Sequence, residues 1–172
     1  FMRGKMGEKV MSESVTIWDD GNAADKMGMT FDFEGVPKQK VTFVENGIAR
    51  AVVYDTVTAQ KDGVASTGHS LPAPNSHGPY AMHMFMAPGD KSKQELIQGI
   101  ERGVLVTRFW YTRPVHPVQV LVTGMTRDGT FLIENGQVTR PVKNFRFTTS
   151  YLDALNRVRA IGKETKLLYD DW

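Results

Sequence analysis

Hydrophobic and polar positions alternate over short runs along most of the chain, and glycine-containing turn sequences break the runs. Between Val118 and Phe147, the residues Val120, Val122, Phe131, Ile133 and Val138 sit among polar neighbours, the period-two pattern of half-buried strands. Arg127-Asp128-Gly129 and Glu134-Asn135-Gly136 punctuate this stretch. Asn, Asp and Gly tolerate the positive φ that tight hairpin turns require. The pattern therefore predicts three consecutive antiparallel strands, with Arg127 and Asp128 displayed at a turn. Turn chemistry alone accounts for those two residues, although a turn on a rigid sheet is also a good place for a binding group.

Earlier in the chain, residues 15–18 read as a strand closed by Asp19-Asp20-Gly21. Residues 2–11 look basic and flexible, and 22–30 look like loop. Phe31-Asp32-Phe33-Glu34 alternates aromatic with acidic residues ahead of Gly35-Val36-Pro37, which places the two aromatics on one face and the two acids on the other. With Asp19 and Asp20 that makes four carboxylates able to converge on a cation. A solvated strand face plus a turn is the simpler explanation, since hard cations need many oxygens arranged in three dimensions. Residues 41–44, Glu45-Asn46-Gly47 and residues 48–54 form a second hairpin signature, an echo of the later one but too short to define a repeat.

Residues 63–90 change character. Eight Gly and Pro residues punctuate them and they carry His69, His77 and His83. A long irregular segment in a compact domain is often a lid or binding loop. The histidine spacing is not that of a helical zinc peptidase motif, and a loop histidine is commonly just polar surface. Ser92-Lys93-Gln94-Glu95 is a capping box, with Leu96, Ile97 and Ile100 on one helical face and Gly103 as the stop. Residues 104–107 read as a buried strand leading into Arg108-Phe109-Trp110-Tyr111, aromatics suited to packing or to stacking on a ligand. A second helix is predicted over 150–161, with Leu152, Leu155, Val158 and Ile161 facing a sheet; residues 163–172 look peripheral. The fold class expected is α+β: mainly antiparallel β-sheet built from hairpins, with two amphipathic helices packed on it.

Composition narrows the function classes. The 172 residues carry 21 basic and 19 acidic side chains, a net charge of +2, so the overall field gives no nucleic-acid signature. No apolar run approaches the roughly 20 residues that span a bilayer, and a cytoplasmic protein is expected. The absence of cysteine removes disulfides, thiolate nucleophiles and Cys-ligated zinc from these residues. A start at Phe1 reads as a fragment boundary.

The order of motifs carries a family signal. Phe31-Asp32-x-Glu34-Gly35-Val36-Pro37-x-Gln39 precedes the Glu45-Asn46-Gly47 hairpin; Thr58-Ala59, Ser66-Thr67-Gly68-His69 and Met86-x-Pro88-Gly89-Asp90 follow. Ile133-Glu134-Asn135-Gly136-x-Val138-x-x-Pro141-Val142 then leads to the last helix. This series resembles the C-terminal half of the TldD/PmbA family, peptidase-related proteins also described as modulators of DNA gyrase, over nearly the whole chain. The resemblance implies that residues 1–172 are the C-terminal, sheet-rich domain of a two-domain protein. It also implies that active members hold zinc through His-Glu-x-x-x-His in their first half and a cysteine near their C-terminus. Neither is in this sequence, and the chain ends close to where the cysteine would fall. The stretch Val106-Thr107-Arg108-Phe109-Trp110-Tyr111 lacks the glycine-rich run of catalytic members and looks more like the PmbA (TldE) branch.

On that resemblance the chain is a non-catalytic subunit with no catalytic residue and no metal or cofactor of its own. Zinc is expected only in a catalytic partner or in the missing N-terminal half. The expected partners are a TldD-like catalytic subunit or a second copy in a self-dimer, with an unfolded peptide as substrate and neither nucleic acid nor membrane involved. Thr67, Gly68, His69 and Arg127 are then the candidate substrate-binding residues, facing a shared chamber. A scaffold domain engaging gyrase or a toxin system is the alternative. An independent small enzyme using His69, His77 and Asp19 or Asp20 is a third reading, with no recognisable nucleophile–base spacing behind it.

Overall fold

The structure, a computed structural model, describes residues 4–23 and 29–168. Expectations for residues 2–3, for the middle of the 22–30 loop and for the last four residues lie outside these. The chain divides into two compact units, over residues 2–87 and 88–172.

In the N-terminal unit, β1 (Ile17–Asp19), β2 (Val41–Glu45), β3 (Ile48–Ala49) and β4 (Met84–Met86) form one antiparallel sheet in the order β3-β2-β1-β4. Val41, Val44 and Ala49 are buried together with Val10, Met11 and Val15, which gives the small sheet its core. The β2–β3 hairpin turns on Asn46 and Gly47, at φ 50° and 79°, as its sequence predicts. Its second strand is much shorter than residues 48–54, because the chain turns instead into α1 (Thr56–Asp62).

The sequence reading did not predict α1. A reciprocal cap starts it: the Asp55 carboxylate accepts the Thr58 N–H at 2.7 Å, and the Thr58 hydroxyl accepts the Asp55 N–H at 3.2 Å. The stretch at residues 31–34 does not set acids against aromatics, because Glu34 is exposed with the two phenylalanines and only Asp32 is buried. Asp32 is 2% exposed, while Phe31 and Phe33 are 52% and 50% exposed. The cause is local: the Asp32 carboxylate accepts the N–H groups of Glu34, Val36 and Ser70, each at 2.9 Å. The acid thus builds the turn from inside and turns the aromatics outward.

The C-terminal unit holds α2 (Lys93–Gln98), β5 (Arg102–His116), β6 (Leu121–Glu134), β7 (Gln137–Pro141), β8 (Arg146–Ser150) and α3 (Tyr151–Asn156). β5 and β6 form a long antiparallel hairpin. β7 pairs with β6 at residues 131–134 and β8 with β6 at residues 121–125, so the two share the other edge of β6 end to end. Between them Asn144 closes the gap, its side-chain oxygen accepting the hydroxyls of buried Thr126 and Thr130 at 3.3 and 2.9 Å.

Four expectations change here. Arg127-Asp128-Gly129 is not a hairpin turn; it lies inside β6, which stays paired with β5 on both sides of it. Asp128 and Gly129 have φ of 63° and 127°, and the register slips opposite them between Val106 and Arg108, so the sequence makes a bulge. The Thr107 hydroxyl holds it, lying 3.1 Å from the Arg127 carbonyl and 2.9 Å from that of Gly129. The strand over 104–107 is not buried, since Val104 is 42% exposed. α2 ends at Gly99 instead of Gly103, because Gly103 already pairs with Ile133 in β5. α3 stops at Asn156 because residues beyond it run to a parallel bridge between Gly162 and Lys91. The whole is α+β with antiparallel sheets and three helices.

Candidate functional site

The chemistry of the N-terminal unit centres on a buried hydrogen-bonded pair that joins residues fifty apart in sequence. β1 ends with Asp19 and the glycine-kinked segment after α1 delivers His69; both are 0% exposed. His69 Nε2 donates to Asp19 Oδ1 at 3.0 Å, and the second carboxylate oxygen accepts the His83 backbone N–H at 2.7 Å. On the other side of the ring, Nδ1 lies 2.9 Å from the Thr67 hydroxyl oxygen. That oxygen accepts the Tyr54 N–H at 2.8 Å and also lies 3.1 Å from the Tyr54 carbonyl. Its single proton therefore goes either to the imidazole or to the main chain.

Burial is the largest influence on the Asp19 carboxyl and acts to raise its pKa. Hydrogen bonds from His69 and the His83 amide, with the charges of His69 and Lys38, outweigh it and hold the group below the usual carboxylate range. Gly68 is required between the two polar side chains. Its φ is +73°, and a Cβ there would come within 2.4 Å of the Pro37 carbonyl oxygen.

Of the four candidate substrate-binding residues, the structure brings three together: half-buried Thr67 and buried Gly68 and His69. Arg127 belongs to the C-terminal unit. There its guanidinium lies 4.1 Å from the Trp110 ring centre, with Nε 3.5 Å from Asp128, whose other oxygen pairs with Arg108 at 2.7 Å. His77 is exposed and donates its N–H to Asn75 at 2.8 Å. Asp20 accepts the Asn22 N–H at 3.0 Å. The four carboxylates do not converge on a cation, because each serves separate protein donors; that of Glu34 accepts the N–H and hydroxyl of Thr56 at the start of α1.

A catalytic zinc needs about three protein ligands around one open position. Among the described residues no three His, Asp or Glu side chains come together in that way, and the best pair, Asp19 and His69, is engaged internally. These residues do not fit a catalytic zinc. No helix of the described residues is long and apolar enough to cross a membrane.

Beside the pair lies a cavity of about 370 Å³ lined by Asp32, Lys38, Ser70 and His83 with Met29, Phe33 and Met82. The sequence reading missed Lys38, which is 5% exposed. Nothing in Pro37-Lys38-Gln39-Lys40 separates a buried lysine from a solvated one.

Comparison with known proteins places the chain. The model of the PmbA/TldA metallopeptidase C-terminal domain matches residues 1–171. A metalloprotease of Methanothermobacter thermautotrophicus is 31% identical over 172 residues, which cover 96% of this chain and 36% of that protein. A metalloprotease TldD homolog of Buchnera aphidicola is 29% identical, covering 94% and 34%. The chain thus spans about a third of the length of the curated relatives it matches. Among solved structures, TldE from Thermococcus kodakarensis superposes with a TM-score of 0.83 at 28% identity, covering 97% of this chain and 38% of that one. A proposed modulator of a DNA gyrase from Thermotoga maritima gives 0.78 at 26% identity, covering 94% and 37%.

Proposed function

Since the chain belongs to the PmbA/TldA metallopeptidase C-terminal domain family, we propose that it acts in peptide processing as the non-catalytic partner of a metal-bearing subunit. The observation that carries this is the state of the His69 ring. Both its nitrogens are bonded inside the protein and the ring is fully buried, so it fastens the loop to the sheet and has no free position from which to act on a peptide. The fold likeness to TldE supports the same reading.

In this role the domain walls a chamber that holds an unfolded peptide while the partner cuts. That partner is a TldD-like catalytic subunit, or a second copy in a self-dimer, and zinc sits there or in residues preceding this domain. Thr67, Gly68 and His69 serve the substrate side by fixing the wall; half-buried Arg127, seated on Trp110, meets the peptide directly. The protein works in the cytoplasm.

The test is reconstitution. The purified protein, its TldD-like homologue and their mixture are each given an unfolded peptide, and zinc is measured in every sample. Hydrolysis only in the mixture, with zinc in the homologue, is the expected outcome. Hydrolysis and about one zinc per chain in the protein alone would make it a peptidase in its own right. A scaffold role is the second reading, favoured by the name of the Thermotoga maritima structure and by the exposed run Phe109, Trp110 and Tyr111. It predicts capture of gyrase without the homologue present.

A further inference from the structure

The cavity beside the Asp19–His69 pair has a chemistry that fastening the loop does not need. Lys38 is 5% exposed and lines it. Main-chain bonds fix the residue: its N–H donates to the Thr30 carbonyl at 2.8 Å, and its own carbonyl accepts the Asn22 side chain at 2.7 Å. The side-chain stem is fixed too, packed so closely over Gly21 that a Cβ there would meet Lys38 Cδ at 2.3 Å. Yet the ammonium makes no hydrogen bond or ion pair with any described residue. Within the described residues the ammonium acts on Asp19 through its charge and not through a hydrogen bond, so its donors are open to an acceptor in the cavity that Lys38 lines.

The neighbouring acids do not fill that need. Asp32 accepts three main-chain N–H groups, and Asp19 accepts from His69 and His83. The Ser70 hydroxyl donates outward to the Leu71 carbonyl at 3.1 Å, which leaves its lone pairs but no proton for a ligand. Apart from His83, the rest of the lining is apolar. Met29, Phe33 and Met82 are 39%, 50% and 53% exposed, so they form the mouth, while Asp32, Lys38 and Ser70 form the floor.

We propose that this cavity binds the C-terminal residue of a peptide, with the carboxylate on the Lys38 ammonium and an apolar side chain against Met29, Phe33 and Met82. A single negative charge suits the floor, because a dianion would meet the fixed charges of Asp32 and Asp19 as well as Lys38. The volume, about 370 Å³, lies at the small end of ligand sites and fits a residue or two. Two flexible thioethers at the mouth accept apolar side chains of different shapes. The choice of a peptide rests on the peptide-processing reading; the carboxylate and the apolar group rest on the cavity alone.

Calorimetric titration of the purified protein, with any co-purifying subunit retained, tests this using N-acetyl-Ala-Ala-Leu as its free acid and as its C-terminal amide. A charge-assisted bond from the Lys38 ammonium predicts that the acid binds about tenfold tighter. Lys38→Met keeps the stem and removes the charge, so the acid should fall to the level of the amide. Equal binding of acid and amide by the wild type overturns the proposal, as does a preference that survives in Lys38→Met. Should that variant fail to fold by circular dichroism, Phe33→Ser and Met82→Ser at the exposed mouth decide the matter. Each should weaken the acid about fivefold by loss of apolar contact, and unchanged binding overturns the proposal. Reconstituted hydrolysis separates this from the broader reading. Selective binding of the acid without partner-dependent cleavage leaves the subsite standing and removes the partner role; cleavage with no acid preference does the reverse.

Discussion

Asp19 is a carboxylate with no access to water, kept ionised by His69 and by the His83 amide. Its folded pKa lies below the ordinary value, so its contribution to stability is complete above the unfolded pKa of roughly 3.9. That contribution is lost as pH falls through the lower folded value. Asp19→Asn puts an NH₂ group against one of two donors and removes the charge that faces His69. The variant should lose about 3 kcal/mol at pH 7, read from urea midpoints, and the gap should narrow below pH 4 as the wild type gives up its advantage. A gap that stays constant down to pH 3 would mean that Asp19 titrates alike in the folded and unfolded states. Gly68 sits beside this pair under a different constraint, its φ of +73° and the Pro37 carbonyl within 2.4 Å of any added Cβ. Gly68→Ala should cost about 3 kcal/mol, since left-handed strain and backbone overlap add. Thermal melts that fall by only a degree or two would show that the loop relaxes without effort.

At the scale of elements, caps decide where helices begin, and two caps of the same design make a controlled comparison. Ser92 and Glu95 close α2 at the exposed surface, while Asp55 and Thr58 close α1 with Asp55 only 6% exposed. Ser92→Ala should cost about 1 kcal/mol and Asp55→Ala about 2, because the latter also strips a buried acceptor from two donors. Equal losses in chemical denaturation would argue against the role of burial. The first of these caps was legible in the sequence because Ser-Lys-Gln-Glu is a recognised pattern followed by apolar residues at helical spacing. The second, Asp55-Thr56-Val57-Thr58, was not, because threonine closes the box and only Ala59 of α1 is buried. Within residues 118–147, alternation and the Asn135-Gly136 turn made the β6–β7 hairpin readable. What alternation could not tell is that Asp128-Gly129 makes a bulge inside one strand, because the same positive φ serves both uses. Nor could it foresee that Asp32 points inward, a choice made by three main-chain donors, one of them from Ser70, 38 residues away. The motif order made the family legible, but the pairing of Asp19 with His69 and the burial of Lys38 depend on contacts between distant segments.

At the scale of the whole molecule, two kinds of polar residue must be told apart: those that hold the protein together and those left for something else. Asp19, His69 and Thr67 belong to the first kind, since every one of their polar side-chain atoms faces a partner inside the protein. Arg127 belongs to the second. Its contacts are a ring face at 4.1 Å and a carboxylate at 3.5 Å, with 43% of its side chain exposed. Such exposed contacts contribute about 1 kcal/mol or less. Trp110 beneath it is itself 43% exposed, and Phe109 and Tyr111 on either side are 59% and 58% exposed. On the proposed function, cation and aromatics together form the face that meets the peptide. Arg127→Ala should therefore leave the melting temperature of the protein within about 2 °C of wild type, while raising KM for an unfolded peptide in the reconstituted mixture about fivefold at little change in kcat. Arg127→Lys should recover part of the loss, because it restores the charge but not the planar group that stacks on Trp110. If KM is unchanged while the protein melts many degrees lower, Arg127 is a structural residue of the bulge, and substrate contact falls to other parts of the assembly.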